Sequence, residues 1–154
     1  MVRRGVRLAR SKGGRAYSTR EETRSSLGVA EDSFVVTYAG TMGRLQGLGH
    51  IMDAAIDLRD VKEVVIHVRG SGELEESLQA EVERYKLSNV EFFDHCPLEQ
   101  AAAHMAASDA LLVPLADDPI FQKFIPSKLF DSMASGRPVL LSVDGEAREM
   151  PIRG

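Results

Sequence analysis

Tryptophan is missing from this chain, and cysteine occurs once, as Cys96. A single cysteine excludes an internal disulfide framework and fits a reducing compartment. No run of about 18 apolar residues is present, so no segment reads as a membrane span. The N-terminus has no apolar core of the signal-peptide kind. Several signatures of α/β enzymes are absent too. There is no G-x-x-x-x-G-K-[ST], no H-E-x-x-H and no G-x-S-x-G. The histidines, His50, His67, His95 and His104, fall in no zinc-ligand spacing, so no metal site is expected. Gly40, Gly43, Gly47 and Gly49 miss the G-x-G-x-x-G spacing, and Gly70-Ser-Gly72 has no third glycine, which disfavours a nicotinamide or flavin site. A phospho-receiver domain needs an acid pair closing its first strand, where Ala39-Gly40-Thr41 stands instead.

What is present is ordinary for one soluble domain: 154 residues, 44% hydrophobic and 27% charged, with a net charge of −4. The charge is uneven. Residues 1–24 hold eight Lys/Arg and two Glu, and the rest hold eleven Lys/Arg and twenty-one Asp/Glu. The basic head lacks helical periodicity and, apart from Tyr17, aromatics, so it reads as an irregular lead-in rather than a nucleic-acid or membrane contact. We place this lead-in at 1–28, with a short helix over 20–27 ending at Gly28, and a single domain, expected to be truncated at its C-terminal end, at 29–154.

Within that domain strands alternate with helices. β-rich runs occupy 33–40, 61–68, 90–93, 110–114 and 139–142, with helical periods over 50–58, 73–85 and 98–107 between them. This order predicts an α/β, three-layer Rossmann-like parallel sheet of about five strands with helices on both faces. Ligands of such sheets sit at the carboxyl ends of the strands, where loops 40–49, 69–73, 93–98 and 114–127 should meet.

The stretch 124–143 organises the rest. It reads as loop, short helix, turn and a strand covered on both faces, with Ser127 as N-cap and Gly136 and Pro138 as stop signals. Helical spacing puts Leu129, Phe130, Met133 and Ala134 on one side, and Lys128, Asp131 and Ser132 on the other. A cation and a carboxylate near a helix N-terminus suit a phosphate with hydroxyl groups beside it. The same residues also suit a solvated face with a weak ion pair.

Taken in order, Tyr38-Ala-Gly-Thr-Met-Gly43 with Gln46-Gly-Leu48, Arg69-Gly-Ser-Gly72, Asn89-Val-Glu-Phe-Phe93, Ala107-Ser-Asp-Ala-Leu-Leu-Val-Pro114, Pro126-Ser-Lys-Leu-Phe-Asp131 and Met133-Ala-Ser-Gly-Arg-Pro-Val139 resemble the C-terminal, donor-binding domain of GT-B glycosyltransferases of group 1, family 4. The resemblance spans about residues 33–147, and within the family it is strongest to enzymes of surface-polysaccharide assembly. It implies a retaining, metal-independent transferase half with no cofactor, whose donor is a nucleotide-diphosphate sugar, UDP-sugar favoured. By the same resemblance Gly40, Gly43, Arg44, Gly72, Phe93, Phe124, Ile125, Ser127, Lys128 and Asp131 bind the donor, with Asp131 on the ribose and the base at loop 93–98. Lys123, Lys128 and Arg44 are the catalytic candidates. Two positions depart from the family pattern: Lys123 stands where a Glu is common, and Gln46 where a Lys is usual. The implied setting is cytoplasmic, at most peripheral at the inner membrane surface, with no nucleic acid. The implied partner is an N-terminal GT-B domain or a second chain, without which transfer is expected to be weak. Two other readings stand beside this one: a non-catalytic binding or assembly module, and a nucleotide-sugar epimerase of the same architecture.

Overall fold

The structure is a computed structural model and describes residues 19–116, 119 and 126–142. Five parallel strands, β1 (Phe34–Ala39), β2 (Val64–Arg69), β3 (Val90–Phe93), β4 (Ala110–Pro114) and β5 (Val139–Ser142), form one sheet in the order β3-β2-β1-β4-β5. The helices are α1 (Arg20–Ser26), α2 (Leu48–Asp57), α3 (Glu75–Tyr85), α4 (Leu98–Ala107) and α5 (Ser127–Ala134), with a 3-10 turn at Arg44–Gln46. This is the expected Rossmann-like architecture. No described helix is long and apolar enough to cross a membrane.

Strand alternation gives the sheet two unlike faces. Val36 and Tyr38 of β1, Ile66 and Val68 of β2, and Val90 and Phe92 of β3 share the face under α2 and α3. With Met42, Ile51, Met52, Ala55 and Leu78, most of them make the apolar core. The other face, under α4, is polar at its centre: Thr37, His67 and Glu91 stand in register across three strands. Thr37 and His67 are fully buried there, Thr37 hydrogen-bonded to Ser108 at 2.6 Å.

The first helix belongs to this body. Thr19 and Glu22 form a reciprocal capping box, and Gly28 turns the chain with φ +71°. Arg20 and Arg24 of α1 both reach Asp109, which also accepts the Val35 N–H at 2.8 Å. Burial pushes the Asp109 carboxyl up, but the Val35 amide, Arg24 and Arg20 outweigh it and hold it below its ordinary value. Two arginines of the basic head are thus spent on an internal carboxylate. The remainder of that head, residues 1–18, lies outside the described residues.

Three local expectations are corrected. Pro126, not Ser127, is the N-cap of α5. Ser127 is its exposed first residue and makes no side-chain cap. The buried stripe of α5 is Leu129 and Ser132, while Phe130 is 49% exposed and Ala134 faces outward. The helix is short, and seating Lys128 against β1 rotates the stripe away from Phe130. Finally, β5 is not covered on both faces, because Leu140 is 50% exposed in an edge strand of the described sheet.

The chain leaves β1 for β2 on one side, and β4 pairs with β1 on the other, so the order reverses between β1 and β4. At this switch point the loops after β1 and β4 touch. Gly47, in the left-handed region at φ +63°, lies so close to the Leu115 carbonyl that any Cβ would overlap it, and Ala116 N donates to Leu45 O at 3.2 Å. The loop after β2 is stitched to the same place by Met42 N to Ser71 O at 2.9 Å and Leu74 N to Met42 O at 3.0 Å.

Candidate functional site

A cation occupies this switch point. Lys128, on the second residue of α5, sends its ammonium across to the end of β1. Its Nζ donates to Tyr38 Oη at 3.0 Å and to Gln46 Oε1, and it lies 4.7 Å from the centre of the Tyr38 ring. Tyr38 Oη in turn donates to the Thr41 carbonyl at 2.6 Å, so it must accept from the lysine. Burial lowers the Lys128 ammonium to about 8 and pushes the Tyr38 phenol up. At neutral pH the lysine is therefore mostly charged. Among the described residues no carboxylate lies within ion-pair distance of it, and the two bonds to Tyr38 and Gln46 leave one of its three N–H donors uncommitted.

A half-buried cation without a carboxylate partner is costly unless an anion arrives. The loop after β1 runs beside it. A Cβ on Gly40 would sit 3.5 Å from Lys128 Nζ and 3.2 Å from Tyr38 Oη, so the glycine keeps the backbone open against the ammonium. The first turn of α5 begins one residue earlier in the chain, at Ser127; its Leu129 N–H donates to the Pro126 carbonyl at 3.0 Å, and the helix end carries partial positive charge. Gln46, which follows the 3-10 turn's first two residues, holds the ammonium of Lys128 by its amide oxygen.

The other sequence-predicted residues distribute unevenly. Gly40, Lys128 and the first turn of α5 with Ser127 gather at the switch point. Gly43 has open space around it. Gly72 is used for packing, since a Cβ there would lie 2.5 Å from the Met42 carbonyl. Arg44 points outward, 80% exposed, 3.5 Å from Glu73, whose carboxylate also accepts the Arg44 N–H at 3.3 Å. Asp131 is exposed one turn along α5. Lys123, Phe124 and Ile125 lie outside the described residues.

Phe93 ends β3 but turns under α4. Its ring lies 4.7 Å from His67, 4.9 Å from His104 and 5.0 Å from the Arg69 guanidinium. Sequence reasoning singled out neither Tyr38 nor Gln46 as a holder of Lys128, nor the Arg69, His67 and His104 cluster. The available signal was a histidine in the middle of a buried strand, which demands partners.

Among the described residues no group of three or more His, Cys, Asp or Glu is placed to hold a metal ion. An open groove of about 510 Å³ lies at the opposite, amino end of the strands, lined by Arg20, Arg24 and Asp109 among others. Its arginines are already paired with Asp109, and the sheet puts it away from the switch point.

The family model described as glycosyl transferases group 1 matches residues 19–153. Solved structures that resemble the chain include Anabaena HepE in complex with UDP-glucose, at 24% identity and TM-score 0.69, over 89% of this chain and 38% of that one. WaaG, a glycosyltransferase involved in lipopolysaccharide biosynthesis, matches at 21% identity and TM-score 0.64, over 86% of this chain and 35% of that one. The C-terminal domain of a group 1 glycosyl transferase, LpcC from Francisella tularensis, matches at 14% identity and TM-score 0.70, over 88% of this chain and 71% of that domain. The chain thus spans little more than a third of the length of HepE or WaaG. No curated protein sequence matches it.

Proposed function

The chain belongs to the group 1 glycosyl transferases, and on that premise we propose that it is the C-terminal, donor-binding half of a retaining, metal-independent GT-B enzyme of family 4, taking a nucleotide-diphosphate sugar. The observation that carries this reading is Lys128: a half-buried ammonium with no carboxylate partner among the described residues, set against a glycine loop at the strand-order reversal. That crevice is where open α/β sheets bind nucleotides. HepE, of the same fold, was crystallised with UDP-glucose, which favours a uridine donor.

The chemistry follows from charge. As the bond from sugar to diphosphate breaks, negative charge builds on the leaving oxygen. Lys128 and the N–H groups that open α5 then interact more strongly with the transition state than with the intact donor, which is what lowers a barrier. Arg44 supplies a second, mobile cation once it leaves Glu73. Asp131, one turn from the phosphates, accepts the ribose hydroxyls, and the base lies toward loop 93–98. Lys123 is a further catalytic candidate, and Phe124 and Ile125 are donor-binding candidates, on the sequence resemblance alone.

Acceptor binding and transfer require the N-terminal half of the GT-B fold or a second chain, so this part alone binds donor weakly and transfers little. The enzyme would work in the cytoplasm, at most peripherally on the membrane, in surface-polysaccharide assembly. Calorimetric titration with UDP, GDP and pyrophosphate tests the reading. We expect binding of the diphosphates that Lys128→Met weakens by at least tenfold. Diphosphate binding of equal strength in the variant would refute it.

A further inference from the structure

Behind the crevice lies a buried hydrogen-bond chain that donor binding as proposed does not use. Arg69, the last residue of β2, donates from Nε to His104 Nδ1 at 2.6 Å, and His104 Nε2 lies 2.8 Å from His67 Nδ1. An arginine only donates, so His104 Nδ1 must be the bare nitrogen. His104 then carries its proton on Nε2 and gives it to His67 Nδ1. His67 is left with its proton on Nε2, which has no hydrogen-bond partner among the described residues and faces the Glu91 carboxylate at 3.7 Å. The direction of the whole chain is thus set by Arg69, and the tautomer of each ring by its neighbour.

The rings are fully buried, at 0% and 2% exposure. Burial, then the charge of Arg69, hold His67 down at about 4 and His104 at about 3, with lesser contributions from Arg24 and from His67 respectively. Both are neutral at physiological pH, as the chain requires. At its outer end Arg69 also donates from Nη1 to the Asp94 carbonyl at 3.1 Å, with its guanidinium 5.0 Å from the centre of the Phe93 ring. The arginine therefore ties the start of the loop after β3 to the interior. Gly70 beside it packs on the Gly40 carbonyl so closely that no side chain fits.

We infer that His104 and His67 are positioning residues of the nucleotide site: they lock the Arg69 guanidinium in one orientation, and Arg69 holds the 94–97 loop in the shape that seats the base. This deepens the reading above and rests on it. A solvent-facing arginine would otherwise sample many rotamers, and fixing it in advance removes that ordering cost from binding. The base, not the diphosphate, is what the chain serves.

Two measurements test this. On the unaltered protein at pH 7, long-range proton–nitrogen NMR of the imidazoles should show both rings neutral with the proton on Nε2. A proton on Nδ1 of His104 would overturn the inference without any variant. In titrations, His104→Leu should weaken UDP roughly tenfold while pyrophosphate, which has no base, changes little. His104→Gln, whose amide can accept from Arg69 and donate to His67, should restore most of the loss. Arg69→Lys keeps the charge but not the two directed bonds, and should behave like His104→Leu. It serves where the leucine variant does not fold. UDP bound alike by the unaltered protein and every folded variant would overturn this inference alone. An unaltered protein that binds neither ligand would overturn the proposed function with it.

Discussion

The pH dependence of donor binding should follow Lys128. In the free protein its ammonium titrates at about 8, because burial removes it from water, against an ordinary 10.5. A bound diphosphate restores a counter-charge and returns the group toward the ordinary value. The charged form is therefore the one that binds, and binding is lost as pH rises through the free-protein value. About nine-tenths of the lysine is charged at pH 7 and about one-tenth at pH 9, so affinity for UDP should fall about tenfold over that interval. At pH 8 each UDP bound should take up about half a proton, measurable by calorimetry in buffers of different ionisation enthalpy. Lys128→Met should bind more weakly at pH 7, by about 1.5–3 kcal/mol for one charge-assisted contact, and should show neither the uptake nor the slope. A wild-type protein whose affinity is flat from pH 7 to 9, with no proton uptake, would refute the assignment of Lys128 to the phosphates.

Other consequences concern the frame. Gly70→Ala forces a Cβ into the Gly40 carbonyl at a backbone φ of +143°, displacing the loop whose Gly40 and Met42 N–H groups bond Arg69 and Ser71 at 2.9 Å. Strain and lost bonds together should cost about 3–5 kcal/mol in urea unfolding. Gly49→Ala, in open space on α2, should instead gain up to about 1 kcal/mol. Asp109→Ala leaves Arg24, 13% exposed, without its carboxylate and should destabilise by about 2 kcal/mol, with α1 losing amide-exchange protection first. The two buried imidazoles bind protons more tightly when unfolded. The stability they contribute is whole above about pH 6.5 and falls as pH drops through about 4 and about 3. By pH 4 each should have cost about 3 kcal/mol relative to pH 7, and His104→Gln should flatten part of that loss in urea titrations.

The sheet was legible because its signals are local. The strands are β-rich runs, β1 and β2 ended by glycine, and the strand–helix alternation dictates parallel pairing. The glycine loops could be placed at the strand ends for the same reason. The centre of the site was less legible because its contacts are remote: Lys128 meets Tyr38 across 90 residues and Gln46 across 82. A helical wheel of α5 ranks Phe130 inward by its hydrophobicity. It cannot register that Lys128 is drawn to a tyrosine and an amide on two other elements. The Arg69–His104–His67 chain was hidden for a related reason. His67 in β2 and His104 in α4 each look like a stray polar residue, and only the packing of α4 on the sheet makes them partners.

The measurement that bears most directly on the central claim is a titration of the isotope-labelled protein with UDP, followed by amide NMR shifts. The account predicts saturable shifts clustered at residues 40–47, 93–97 and 126–131, with Asp131→Ala removing the ribose-dependent part of the UDP affinity. Saturating UDP with no shifts in those three segments, or with shifts confined to the Arg20 and Arg24 groove at the other end of the sheet, would contradict it.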